Sequence, residues 1–212
     1  MVSSDVFVGD IGYNVLAVVV GRWVINSKIS RGSRDCLSVM ESGKRPKGGA
    51  ELISDGVPSI GAESINGIGN FTMSNLKLIS YDFFSLMKKG IVENGDVMLY
   101  KDGAHVGRAA MFDRNYPFDK CAINEHVFRL RTNGHLTQHF LYCMMSNQQL
   151  RWHLECRGIK AAQPGLNQKD LVTIPIVIPP LEVVDKFTER VKPLFDKIFE
   201  DAKANQQYAE VR

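Results

Sequence analysis

Long apolar runs are missing from this chain. The N-terminal run Val15 to Val20 is far shorter than the ~20 residues of a membrane-crossing helix. No basic stretch precedes it, so it is not a secretory leader either, and no membrane partner is expected. Cysteine is scarce: Cys36, Cys121, Cys143 and Cys156 are widely spaced and form no C-x-x-C pair. A disulfide framework is therefore not expected, and reduced thiols in a cytoplasmic protein are the plain reading. Charge of one sign is also lacking. The net charge of +3 permits nucleic-acid binding without announcing it. Internal repeats and low-complexity tracts are absent.

Catalytic motifs are missing as well. An amino-methylating enzyme needs Asn or Asp, then Pro-Pro, then an aromatic residue to grip a flipped base. The Pro-Pro here stands in Ile178-Pro179-Pro180-Leu181. No glycine-rich turn opens a unit able to hold S-adenosylmethionine. Gly43-Lys44 lacks the Ser or Thr of a phosphate loop, and Ser38 occupies the place of its first glycine. Glu41 and Lys44 have the wrong spacing for a metal-dependent nuclease, and Asp96 and Asp102 read as turn residues. His135, His139 and Cys143 share a helical face and can bind zinc, but no fourth ligand is evident. A half-buried helix face is the simpler reading, and no metal site is expected. His126 beside Glu125 reads as a structural hydrogen-bonding group.

What remains suits one domain of ordinary size and an extension within 212 residues. Ser42 to Gly49 is a loop, because Gly and Pro block both helix and strand there, and it carries Lys44, Arg45 and Lys47. Val57 to Ile60 and Leu76 to Ile79 read as strands. Asp96 to Tyr100 and Val106 to Phe112 read as a hairpin around Asp102-Gly103. Val127 to Arg131 reads as a strand with one wet face. A short helix is expected over Tyr81 to Lys89, with Lys88 and Lys89 in its last turn and Gly90 as its cap. Leu136 to Met145 and Gln148 to Cys156 have helical spacing. Gly158 to Gly165 is a loop, and Asn167 with Asp170 caps a further turn. Thr173 to Ile178 is an apolar strand.

From Leu181 the pattern changes. Val184, Phe187, Val191, Leu194 and Ile198 recur at steps of three and four, the seam of a helix that pairs with another helix. Pro193 lies inside it and is expected to cost ~3 kcal/mol unless packing compensates. Two arrangements follow: a projecting helix that pairs with a partner, which is favoured, and an amphipathic helix folded onto its own domain. The expected fold is α+β: a globular mixed α/β domain with short, largely antiparallel strands, then a long coiled-coil-type helix. The boundaries are a joining segment over 1–30, a domain over 31–179 and the helix over 180–212.

Six stretches carry a family resemblance in order: Ser42 to Gly49, Val57 to Ile65, Gly95 to Arg108, Ile123 to Arg131, Ala162 to Asn167 and Ile174 to Glu182. Together they resemble the specificity subunit of type I restriction–modification systems, as one target-recognition domain plus one conserved helix. Phe7 to Asn14 looks like the end of the linker before such a domain.

The resemblance implies a non-catalytic subunit with no cofactor of its own. It reads double-stranded DNA and directs a modification subunit, which holds S-adenosylmethionine, and a restriction and motor subunit. A full specificity subunit carries two such domains, so the chain looks like a half-subunit. A homodimer through the Leu181 to Ile198 helix and a palindromic split site are expected. Lys44, Arg45, Lys47, Lys101, Arg108 and Lys160 are candidate phosphate contacts. Gln163 and Gln168 are candidate readers of adenine edges, whereas Asn167 reads first as a helix cap. Two further functions stay open: a structural or decayed partner that pairs through its helix, and a stand-alone methyltransferase or nuclease.

Overall fold

The computed structural model of the chain describes residues 28–30, 33–47, 53–74, 76–159, 165–174 and 176–210. The expectations for Val15 to Val20, Lys160 and Gln163 lie outside the described residues.

The largest sheet is built from β2 (Leu37–Ser42), β5 (Val97–Tyr100), β6 (Ala109–Met111) and β8 (Val127–Thr132), in the order β2-β8-β5-β6. All its pairings are antiparallel, and the expected hairpin is present, with Val97 opposite Met111 and Leu99 opposite Ala109. Every residue of β5 and β6 is buried, which explains their unbroken apolar sequence. A second sheet, β4-β3-β7, joins β4 (Lys77–Ile79), β3 (Val57–Ile60) and β7 (Ala122–Ile123), with β3 and β7 parallel. A third pairs β1 (Lys28–Ser30) with β9 (Ile176–Ile178). The mixed α+β class stands.

β8 has no wet face at its centre. Arg129 is only 8% exposed, because a buried acid lies beneath it. Asp96 accepts from the Glu93 amide at 2.8 Å and from Arg131 at 2.7 and 2.9 Å, with Arg129 3.3 Å away. Arg129 also donates to the Ile91 carbonyl. Asp96 is thus a turn residue, as read, and also the buried anion that holds two β8 arginines.

The helices are α1 (Tyr81–Ser85), α2 (Gln138–Met145), α3 (Gln148–Gly158), α4 (Gln168–Val172) and α5 (Leu181–Glu210). α1 is shorter than expected, ending at the Leu86 cap, so Lys88 and Lys89 lie beyond it and are exposed. Asn167 and Asp170 form the expected reciprocal cap on α4.

α5 corrects the projecting-helix expectation. Its 30 residues form one helix, Pro193 included, ~45 Å long, and it lies along its own domain. Val184 and Phe199 are fully buried, and Phe195 and Ala202 nearly so, in the main core. Phe187 meets Phe140 edge-on at 5.2 Å, and Phe195 meets His139 and Tyr142 at 5.0 and 5.5 Å. Val184, Phe187 and Val191 are therefore committed to the chain's own core, while Leu194 and Ile198 are 64% and 37% exposed. The physical reason is aromatic area. Phe195 and Phe199 carry more apolar surface than Leu194 and Ile198, so beyond Val191 the buried line moves by one residue, about 100°, to take them in.

Candidate nucleic-acid interface

Strand register sets the site. Ser42 pairs with Phe128, Tyr100 with Val127, and Leu99 with Ala109. The C-terminal ends of β2 and β5 and the N-terminal ends of β8 and β6 therefore share one end of the four-stranded sheet. Lys44, Arg45 and Lys47 follow β2, Lys101 follows β5, and Arg108 immediately precedes β6. Three strand spacings make this row roughly 14 Å wide, on the scale of a B-DNA major groove of ~12 Å.

Two glycines make the β2 end possible. A Cβ on Gly43 would overlap the Ile123 carbonyl, and one on Gly90, where φ is +78°, would lie 2.6 Å from the Gly43 Cα. This contact brings the segment carrying Lys88 and Lys89 to the base of the Lys44 loop. Lys44 and Lys47 are exposed, and neither has a polar partner among the described residues.

Arg45 and Lys101 are held by acids. Arg45 is ion-paired and hydrogen-bonded to Glu125 and lies 2.9 Å from His126 Nε2. His126 Nδ1 is 3.1 Å from Asp102, which also pairs with Lys101. A guanidinium only donates, so His126 Nε2 accepts and Nδ1 carries the proton toward Asp102. Both ring nitrogens of His126 are thus engaged within this cluster. Burial pushes the Glu125 carboxyl up, but Arg45 overrides this and holds it below the usual glutamate range. The hydrogen bond that Arg45 donates to Glu125 raises Arg45 in turn. Both shifts favour the ionised pair.

The remaining candidates divide. Arg108 donates to Asn66 Oδ1 at 2.6 Å and to the Ile65 carbonyl, on the far side of the hairpin from Lys101. Gln168 is exposed, and its amide donates to the Met40 carbonyl at 3.1 Å. The residues flanking positions 160–164 meet this same end of the sheet: Gly165 donates to Gly158 and Leu166 to Lys101. The row thus brings together Lys44, Arg45, Lys47, Lys101 and Arg108. Sequence reading missed Glu125 and His126 as partners of Arg45, since these contacts span 80 and 81 residues, and missed that Asp102 joins Lys101 to His126. It also missed Lys88, Lys89 and Arg151. The lysine pair carried a charge signal that was assigned to a helix end. Arg151 carried none, being one polar residue on a mixed helix.

His135 precedes α2, and His139 is turned into the Phe195 contact, so His135, His139 and Cys143 do not share one helical face. Among the described residues no three His, Cys, Asp or Glu side chains converge as a metal site, and no helix is long and apolar enough to cross a membrane.

Residues 35–207 match the family described as the type I restriction modification DNA specificity domain. The fold is similar to the HsdS subunit from Thermoanaerobacter tengcongensis, with TM-score 0.55 and 18% identity over 92% of this chain and 44% of that one. It is also similar to the type I restriction-modification S subunit from M. genitalium, with TM-score 0.57 and 14% identity over 92% and 46% of the two chains. A third similar chain comes from a structure of complex assembly and conformational transition in a type I R-M system, with TM-score 0.50 and 17% identity over 87% and 44%. The chain thus spans slightly less than half the length of these three. No curated protein sequence matches it.

Proposed function

Because the chain belongs to the family of type I restriction–modification DNA specificity domains, we propose that it is a non-catalytic subunit that reads one half of a split site in duplex DNA. It directs a modification subunit, which supplies S-adenosylmethionine and the methyl transfer, and a restriction and motor subunit for cleavage. The complex works in the cytoplasm. The observation that carries this reading is the alignment of Lys44, Arg45, Lys47, Lys101 and Arg108 along one end of one sheet. Exposed lysines there supply sequence-independent attraction. The acid-held Arg45 and Lys101 supply fixed geometry for base or phosphate contacts.

The second half-site needs a second recognition head, and a second copy of this chain supplies it by two-fold pairing. With Val184, Phe187 and Val191 largely used by the chain's own core, pairing falls to the outward line of Leu194, Ile198 and Tyr208. These three are the large apolar residues exposed on that side of α5.

Co-expression with the modification subunit, followed by mapping of methylated bases across the host genome, tests both parts. A two-part palindrome is expected. An asymmetric site sinks the two-fold pairing and spares DNA recognition. A methylation map unchanged by the chain overturns the recognition role and favours a decayed or structural partner.

A further inference from the structure

On the β6 side of the interface lies an open hollow of about 500 Å³ whose lining includes Asn66, Asn70, Arg108, Ser146 and Arg151, and no carboxylate. Its two guanidinium groups come from distant parts of the chain. Gly107 brings them together. Its φ of +85° is open to glycine, and a Cβ there would lie 3.1 Å from Leu154 Cβ and 3.3 Å from the Arg151 carbonyl oxygen. The bare glycine lets α3 lie against the hairpin end, so Arg151 stands beside Arg108.

Both groups are braced from behind. Asn66 donates to Thr72, which turns its carbonyl oxygen to Arg108. The 66–70 loop is tied by Asn66 to Asn70 and by the Ile68 amide to the Tyr142 hydroxyl at 3.0 Å. Arg151 is held through Nε by Glu155 at 2.8 Å. Among the described residues, Arg108 Nε and Nη2 and both Nη atoms of Arg151 have no partner. Two braced forks with spare donors and no lining acid match the tetrahedral, multiply accepting oxygens of a phosphate group better than a neutral ligand.

The geometry points to this hollow as a phosphodiester site: Arg108 and Arg151 clamp a backbone phosphate of the duplex, at the opposite end of the row from Lys44. This rests on the DNA-recognition reading and adds to it a fixed point that sets the register of the duplex across the sheet end. The hollow thus binds the backbone, and base reading is left to the loops between it and Lys44.

The test is binding of the full chain to a mixed-sequence 40-base-pair duplex, followed by fluorescence anisotropy over a range of KCl concentrations. Each lost phosphate contact lowers the slope of log affinity against log salt by ~0.9. Arg108→Gln with Arg151→Gln is expected to lower it by about one, because the pair shares one phosphate, Arg151→Gln alone to lower it by a measurable part of that, and Arg151→Lys to restore it. Lys186→Gln, which removes a charge from α5, leaves the slope unchanged. Melting curves check that each variant folds, and Arg151→Gln alone decides if the Arg108 variant does not. Parent-like slopes in Arg151→Gln, the result if the hollow takes only a free anion, overturn this inference and leave DNA recognition standing. A parent chain that does not bind the duplex overturns both.

Discussion

Glu125 sets how much of the Arg45 charge reaches a duplex. The pair lies in the hollow lined by Gly43, Lys44, Arg45, Pro46 and Glu125, and an anion in that position repels phosphate. Glu125→Gln is expected to raise affinity for mixed-sequence duplex severalfold at low salt and to steepen the salt slope by up to about one unit. Anisotropy titrations check this, and weaker binding would show that the pair is needed to aim Arg45. The cations themselves were legible in the sequence, because a Gly- and Pro-rich loop with three positive charges is a local signal. Their restraints were not. Asp102 read as a turn residue and Glu125 as an ordinary polar residue until strand pairing brought Asp102 to His126 and Glu125 to Arg45.

At the scale of elements, α5 was legible in type and start but not in the face it buries. An alternating three-four pattern admits two neighbouring registers on one helix, and the choice depends on what lies opposite. Here Tyr116, His139, Phe140 and Tyr142 present rings to it, and the phenylalanines win. Phe199→Ala is expected to destabilise the chain by about 3–5 kcal/mol, whereas Leu194→Ala costs under about 1 kcal/mol. Urea unfolding measures both, and equal losses would contradict the observed register.

The same contact gives α5 a pH dependence. Burial lowers the basicity of His139, as does nearby Lys192, against opposing contributions from Asp113 and Asp196. The unfolded chain, with an ordinary histidine value near 6.5, takes up this proton more readily than the folded one. Stability from this group is therefore complete above about pH 6.5 and is lost as pH falls toward the depressed folded value. His139→Phe should flatten the fall in urea midpoint between about pH 7.5 and pH 5.5. An unchanged fall would show that other groups cause it.

At the scale of the molecule, the head and helix were both legible, and so was the family. Their relation was not. The expectation of a projecting helix assigned its whole apolar seam to a partner, yet most of that seam completes the head's own core. In the proposed two-fold pairing, a helix docked this way would carry the head's orientation with it, and the head-to-helix angle would set the half-site spacing. The convergence of basic loops was invisible for a similar reason. It requires the β2-β8-β5-β6 order, in which strands adjacent in space are far apart in sequence.

Lysine acetylation of the full chain, read by mass spectrometry with and without duplex DNA, tests most directly whether this sheet end is the DNA face. Lys44, Lys47 and Lys101 should lose reactivity when duplex is present, while Lys186 and Lys192 on α5 keep theirs. Protection of the α5 lysines with Lys44, Lys47 and Lys101 left reactive would contradict the account.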